Sequence, residues 1–142
     1  RFIGPPESAS IHEAEYRTDS ALMGTALRDK MHGGTLQRAV DYIAAQRQRR
    51  VVAEGIDGLL SGFDALVTFG TFRVAPRLDR QDEMVAFTVE TAMTPFNLSG
   101  HPSLVQCTGF TPAGLPLSWQ VVGHRFDEAT ILMVQNGDPR CP

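Results

Sequence analysis

A chain of 142 residues with 42% hydrophobic and 20% charged residues has the composition of a globular domain and can bury a sizeable core. Its formal net charge of -3 gives no reason to expect nucleic acid or an anionic membrane as a partner. No apolar run approaches the roughly 20 residues that cross a bilayer. The two cysteines, Cys107 and Cys141, have neither metal-ligand spacing nor a disulfide framework, so we expect a reducing, cytoplasmic location.

The first predicted elements are helical. Residues 11–31 carry apolar side chains at loosely helical spacing, with interruptions at Asp19 and Gly24 that allow two shorter helices. We expect Ser8 or Ser10 to cap the first of them, because a serine side chain accepts a hydrogen bond from a free N–H of the first turn.

A long amphipathic helix is predicted next. The "HGG" at His32–Gly34 is typical of a helix end, and Thr35 is the expected cap of the following helix, which should end near Ser61 and Gly62. The basic run "RQRR" at 47–50 lies on this helix. We interpret it as solvated surface, because no aromatic side chains that could stack on bases alternate with it.

The middle of the chain predicts one strand and one helix. The short apolar run within 64–70, "DALVTFG", is typical of a buried parallel strand. Residues 84–93 fit a strand or a helix, and we favour a helix with Asp82 as its N-cap. Pro95 and Asn97 then end the run and begin a loop.

The last third predicts a hairpin followed by a helix. Strands are expected at 104–108 and 115–122, joined by the tight turn "TPAG". Asp127 is the expected cap of the last helix, and Gln135 is the last residue that fits its pattern.

Nucleophilic catalysis by serine needs a base and an oxyanion site, and the sequence supplies no obvious set. None of the seven serines lies in a Gly-x-Ser-x-Gly elbow. Lys30 is the only lysine, near the end of an amphipathic helix, where a surface role is the simpler interpretation.

The other polar candidates are weak individually. No two of the four histidines have the spacing of a helical metal pair, and we expect neither a metal nor a cofactor. His101, in "SGHPS", is either a pocket wall or, more simply, a loop histidine. Cys107 is expected to be a small core residue. Glu90, seven residues before Asn97, is either a hydrogen-bonding group for a substrate amide or amine or an exposed helix residue.

Residues 96–132, "FNLSGHPSLVQCTGFTPAGLPLSWQVVGHRFDEATIL", resemble the C-terminal region of the amidase signature family. The matching positions follow the family pattern of an Asn-x-x-Gly-x-Pro loop, a strand ending Gly-Phe, a Gly-Leu-Pro-x-x-x-Gln-x-x-Gly strand and a helix start. They are Phe96, Asn97, Gly100, Pro102, Gly109, Phe110, Gly114, Leu115, Pro116, Gln120, Gly123, Arg125, Phe126, Asp127, Glu128, Ala129 and Thr130.

The resemblance implies an α/β fold and an activity. The expected fold is the C-terminal portion of the amidase signature fold, with helices packed on a mixed β-sheet and a C-terminal hairpin and helix. The activity is hydrolysis of an amide C–N bond by a serine nucleophile, a second serine and an unprotonated lysine. In the family these three residues lie in the N-terminal half, so we expect no catalytic residue in this chain and no activity from the chain alone.

The resemblance also divides the chain and suggests residues that bind substrate. Residues 1–135 correspond to the C-terminal part of an amidase domain, whereas 136–142, "NGDPRCP", are an atypical tail such as a truncation, a vector-derived end or a frameshift would give. In members that act on glutamine-like amides, an acidic residue at the offset of Glu90 is similar to a ligand of the substrate amine. Phe96 and Asn97 are expected to approach the same pocket.

The expected partners are a small-molecule amide substrate, bound by the complete enzyme, and the N-terminal half of the amidase. Without that half, strand edges and apolar helix faces are exposed, so we expect the chain to form a homo-oligomer. The alternative is a non-catalytic interaction module derived from the same fold.

Overall fold

The computed structural model describes residues 2–135, so the predicted tail at 136–142 lies outside the described residues. The chain divides into two compact units, one reaching to Val51 and one beginning at Val52. One long helix starts in the first unit and ends in the second.

The first unit is helical. Its elements are α1 (Gly4–Ile11), α2 (Glu13–Asp19), a 3-10 turn (Ser20–Leu22), α3 (Thr25–Thr35) and the first part of α4 (Ala39–Leu60). The predicted interruptions at Asp19 and Gly24 are confirmed, because α2 ends at Asp19 and Gly24 precedes α3. The predicted caps are wrong, since Ser8 and Ser10 lie inside α1. The prolines of α1 lie in its first turn, where the N–H that proline lacks would have no partner within the helix.

The "HGG" stop is also wrong, because α3 continues through these glycines to Thr35, which therefore does not cap α4. Gly34 is buried, and glycine is required there because of a close approach and not because the helix ends. A Cβ at this position would overlap the carbonyl oxygen of Pro5 and lie 2.6 Å from its carbonyl carbon. The glycine thus lets α1 and α3 approach, and Ala9 and Met31 are buried on these two helices.

The second unit combines the end of α4 with a sheet and three more helices. Its elements are β1 (Ala65–Phe69), α5 (Gln81–Val89), α6 (Thr94–Ser99), β2 (Ser103–Phe110), β3 (Pro116–Gly123) and α7 (Glu128–Gln135). The predicted end of α4 near Ser61 is confirmed, and Gly62 follows it with a φ of 90°. The preference for a helix at α5 is confirmed, although its N-cap is Arg80 and not Asp82.

The three strands form one sheet in the order β1–β3–β2, and both strand pairs are antiparallel. The prediction of a parallel, buried β1 is therefore wrong. Its residues are half-buried or exposed, and its partner is β3, with Ala65 opposite Gly123 and Phe69 opposite Trp119. Within residues 2–135 the sheet is antiparallel and not mixed, but the α/β class of the prediction is confirmed.

The predicted hairpin and helix cap are confirmed. β2 and β3 are joined at "TPAG", where Gly114 has a φ of 79° and donates a backbone hydrogen bond to Thr111. Asp127 caps α7, because its carboxylate accepts hydrogen bonds from the backbone N–H and the hydroxyl of Thr130.

The core of the second unit lies between α4, α6 and the sheet. Ile56, Leu60, Phe96 and Val122 form its buried apolar cluster, with Leu66 packed against it. None of the helices among residues 2–135 combines the length and the apolar character needed to cross a membrane.

Candidate functional site

The segment that carries Glu90 is fixed to the end of β1 by a buried glutamine. Gln120 on β3 is fully buried, and its side-chain amide donates hydrogen bonds to the carbonyl oxygens of Phe69 (3.2 Å) and Ala92 (3.3 Å). Ala92 also donates its backbone N–H to the carbonyl of Gly70 at 3.1 Å. These bonds hold the chain after α5 beside β1 and set the place of Glu90.

Glu90 follows the last residue of α5 and forms a bidentate ion pair with Arg73. The guanidinium lies in the loop after β1, and both side chains are about half exposed. The hydrogen bond from Arg73 is the main cause that lowers the pKa of Glu90, and the same bond raises the pKa of Arg73. Glu90 is thus an exposed carboxylate already engaged by a cation, which the sequence pattern did not reveal.

We expect Arg73→Gln to raise the pKa of Glu90, because the substitution removes the hydrogen bond that lowers it. A carboxyl whose folded pKa is depressed contributes stability above its unfolded pKa, and that contribution is lost as the pH falls through the folded pKa. An NMR titration of the Glu90 carboxyl carbon measures the change. Arg77→Gln is the matched control, since Arg77 pairs with Asp79; an unchanged Glu90 titration in Arg73→Gln would contradict the assignment.

Arg73 also lines two concave regions of the second unit. One, of about 470 Å³, lies between the loop after β1 and α5, where Asp82, Glu83 and Phe87 contribute to its wall. The other, of about 480 Å³, runs along the ends of β1 and β3 and is mainly apolar. Its lining residues include Phe69, Phe72, Leu117 and Trp119. Glu90 is therefore ion-paired with Arg73, a residue that lines both regions.

Asn97, predicted with Pro95 to begin a loop, lies instead with Phe96 in the short helix α6. Phe96 is buried in the apolar cluster, whereas Asn97 is exposed. The helix was not predicted because Pro95 was interpreted as a helix end. The proline lies in the first turn of α6, where it is compatible with a helix. Neither residue is shown to bind substrate, and that role stays a prediction.

A polar network that the sequence did not predict lies at the C-terminal end of α6. The ring of His101 is buried between Ser99 and Asp57. Its Nδ1 is 2.8 Å from the Ser99 hydroxyl and its Nε2 is 3.1 Å from Oδ1 of Asp57. Arg125 donates to the other oxygen of Asp57. His101 lies in the loop between α6 and β2, as the simpler interpretation expected, but it is buried and has partners on both ring nitrogens.

This Ser–His–Asp chain of hydrogen bonds has the residue types of a hydrolytic triad, but its geometry does not support one. Ser99 is only 6% exposed, so a substrate carbonyl cannot reach its hydroxyl. The same hydroxyl lies 3.2 Å from the carbonyl oxygen of Phe96, which is an acceptor, whereas a triad needs oxyanion donors near its nucleophile. The network is suited to holding segments together.

The remaining candidates are at the surface. Cys107 is exposed on β2, so the prediction of a core residue is wrong; the alternation along the strand puts it on the exposed face, with Val105. Lys30 is exposed on α3. Within residues 2–135, no group of three His, Cys, Asp or Glu side chains is placed to hold a metal ion.

Comparison with known proteins places this architecture in a family. The family model described as Amidase matches residues 6–132. A glutamyl-tRNA(Gln) amidotransferase subunit from Brevibacillus brevis is 30% identical over 97 residues, covering 66% of this chain and 19% of the relative. The same subunit from Myxococcus xanthus is 31% identical over the same length, covering 66% of this chain and 20% of the relative. The chain thus spans about a fifth of the length of these relatives.

The fold agrees with that match. A crystal structure of an amidase superposes with a TM-score of 0.77 at 24% identity, over 92% of this chain and 31% of the amidase. At that identity the superposition shows the fold alone, whereas the family model covers most of the sequence. Together they show that this chain belongs to the amidase signature family and has the fold of its C-terminal portion.

Proposed function

We propose that the chain supplies the C-terminal part of an amidase that hydrolyses a carboxylic amide to an acid and ammonia or an amine. The observation that carries the proposal is the family match over residues 6–132. The nucleophilic serine, its partner serine and the neutral lysine of the family mechanism would lie in the N-terminal half of the complete enzyme, which is the main partner that we propose.

The chemistry of this chain supports that division. A lysine that accepts the proton of a serine must be neutral, and burial is the usual way to favour the neutral form. Lys30 is exposed, and Ser99 is buried with its hydroxyl 3.2 Å from the carbonyl oxygen of Phe96. The chain would instead contribute sheet, packing and part of the substrate pocket.

The proposed substrate-binding residues are Glu90, Phe96 and Asn97. Glu90 offers a carboxylate for a substrate amine, although that amine would compete with Arg73. Asn97 is exposed on α6 and offers both a donor and an acceptor. Phe96 is buried, so we assign it to fixing α6 beneath Asn97 and not to a direct polar contact.

The surface of the second unit supports a larger assembly. Both outer strands of the three-stranded sheet, β1 and β2, have an edge that no described strand covers, and Phe69, Phe110 and Trp119 are exposed on the sheet. We propose that the N-terminal half of an amidase covers these surfaces, and that a second copy covers them when that half is absent. A cytoplasmic location also stays a prediction.

The purified chain is expected to release no ammonia from a panel of simple amides, because Ser99, the serine that the structure of residues 2–135 joins to a histidine, is buried. A colorimetric ammonia assay measures this. Turnover that persists after every serine of the chain is replaced would contradict the serine mechanism. The alternative of a non-catalytic module rests on no observation of its own; a natural start codon at or just before Arg1 would favour it over the amidase proposal.

A further inference from the structure

The polar network at the C-terminal end of α6, in which Ser99 and His101 are buried, connects three segments that are distant in the sequence. Asp57 lies on α4, His101 follows α6, and Arg125 follows β3. One oxygen of Asp57 meets the His101 ring and the other accepts from Arg125. The carboxylate thus engages cationic or N–H groups from two other parts of the unit, and it is the group on which the network converges.

We propose that Asp57 and His101 are positioning residues that hold α6 in place and thereby orient Asn97 towards the substrate pocket. The part that concerns Asn97 rests on the proposed function, whereas the hold on α6 does not. The hydrogen bonds of the His101 ring run to Asp57 and to Ser99, so both residues act on α6 through Ser99, the last residue of that helix.

The short length of α6 makes such a hold necessary. A helix of six residues does not persist on its own, because nucleation is costly and few internal hydrogen bonds repay it. Phe96 anchors one side of α6 in the apolar cluster. At its end, Gly100 turns the chain with a φ of 79° and donates its N–H to the Phe96 carbonyl at 2.9 Å. The His101 ring then connects this end to α4.

The protons available to the network explain why Asp57 sets the arrangement. The Ser99 hydroxyl has one hydrogen and two acceptors in reach, the Phe96 carbonyl and Nδ1 of His101. With a proton on each ring nitrogen, Ser99 donates to Phe96 and accepts from His101. With a proton on Nε2 alone, Ser99 donates to Nδ1. In both cases Nε2 donates to Asp57, so the carboxylate fixes the ring and the nitrogen that faces Ser99.

The test compares Asp57→Ala with Asp41→Ala in the full chain. The two carboxylates are matched controls, because both lie on α4, both pair with an arginine and both are 36% exposed. Asp57→Ala is expected to speed hydrogen exchange at the Gly100 N–H by about tenfold or more, since a charge-assisted hydrogen bond no longer holds the ring. The Asn97 side-chain amide signals should shift, and Asp41→Ala should leave both unchanged.

Two further readouts separate positioning from general stability. The ¹⁵N signals of the His101 ring should report a protonated Nε2 in the wild type and a changed proton distribution in Asp57→Ala. Asp57→Asn, which keeps an acceptor oxygen, should recover part of the protection at Gly100. Exchange at Val121 and Val122 on β3 serves as the internal reference.

Unchanged exchange at Gly100 in Asp57→Ala would overturn the proposal. Equal acceleration of exchange at Gly100 and in β3 would overturn it too, because the network would then only stabilise the unit. If Asp57→Ala unfolds, Asp57→Asn takes its place as the test. A folded Asp57→Asn whose His101 ring signals do not recover would also overturn the proposal. If α6 loosens as expected but Asp57→Ala leaves the KM of the complete amidase unchanged, the role proposed for Asn97 fails while the hold on α6 stands.

Discussion

Replacing Gly34 with alanine is expected to separate α1 from α3 and to destabilise the first unit by about 1–3 kcal/mol, the usual cost of forcing an extra methyl group into a packed site. The new Cβ would lie 2.6 Å from the carbonyl carbon of Pro5 and 3.0 Å from the nitrogen of Pro6. These are backbone atoms at the proline-rich start of α1, which cannot move aside as a flexible side chain can. Urea unfolding followed by far-UV circular dichroism measures the loss.

Gly33→Ala is the control for this substitution. Gly33 is the neighbouring residue in the same helix, it is exposed, and a Cβ there would meet nothing within 4 Å. Alanine is favoured over glycine inside a helix, so this variant should gain up to about 1 kcal/mol. Stabilisation by both substitutions, or an equal loss in both, would contradict the close approach of α1 and α3.

Leu60→Ala is expected to destabilise the second unit by about 2–5 kcal/mol, because it leaves a cavity where a fully buried side chain had packed. Leu60 is 0% exposed and belongs to the cluster with Ile56, Phe96 and Val122. Trp119 is the only tryptophan of the chain and lies on β3, so its fluorescence reports on this unit during urea unfolding.

Leu59 provides the matched control for Leu60. It is the preceding residue of α4 but is 64% exposed, so Leu59→Ala should change the free energy of unfolding by less than about 0.5 kcal/mol. The slope of the unfolding free energy against urea should stay the same in both variants. A loss of stability in Leu59→Ala as large as that in Leu60→Ala would contradict the structure, in which Leu60 and not Leu59 belongs to the apolar cluster.

The elements with strong local signals were predictable. The apolar period along α4, the turn residues between β2 and β3, and Asp127 before α7 each indicate a structure that depends on neighbouring residues, and all three are confirmed. The glycines at 33–34 were misread because glycine serves two purposes. From the sequence, the conformational range of glycine indicates a helix end. In α3, Gly34 is instead needed because it has no side chain.

The features that depend on distant residues could not be read from the sequence. Nothing near β1 indicates that it pairs antiparallel with β3, roughly 50 residues later along the chain. His101 and Asp57 are 44 residues apart, and Arg73 and Glu90 are 17 residues apart, separated by a loop and α5. No spacing rule joins such pairs, so the polar network around His101 and the ion pair at Glu90 appear only when the chain is folded.

The C-terminal motif has a supporting role in this chain. Gln120, one of the residues that carry the family resemblance, donates from its buried amide to the backbone at both ends of the segment that contains Arg73, α5 and Glu90. Its role in this structure is to join β1 to the segment after α5. The motif therefore builds the support for a pocket wall, and we propose that the bond-breaking chemistry lies elsewhere in the complete enzyme.

The ammonia assay on the purified chain, with Ser99→Ala measured beside it, tests this division of labour most directly. Among the serines of residues 2–135, Ser99 is the one that the structure brings into hydrogen-bond contact with a histidine. We predict that neither protein releases ammonia above background from any amide of the panel. Turnover by the wild-type chain that Ser99→Ala abolishes would contradict this prediction, because the nucleophile would then lie within these residues.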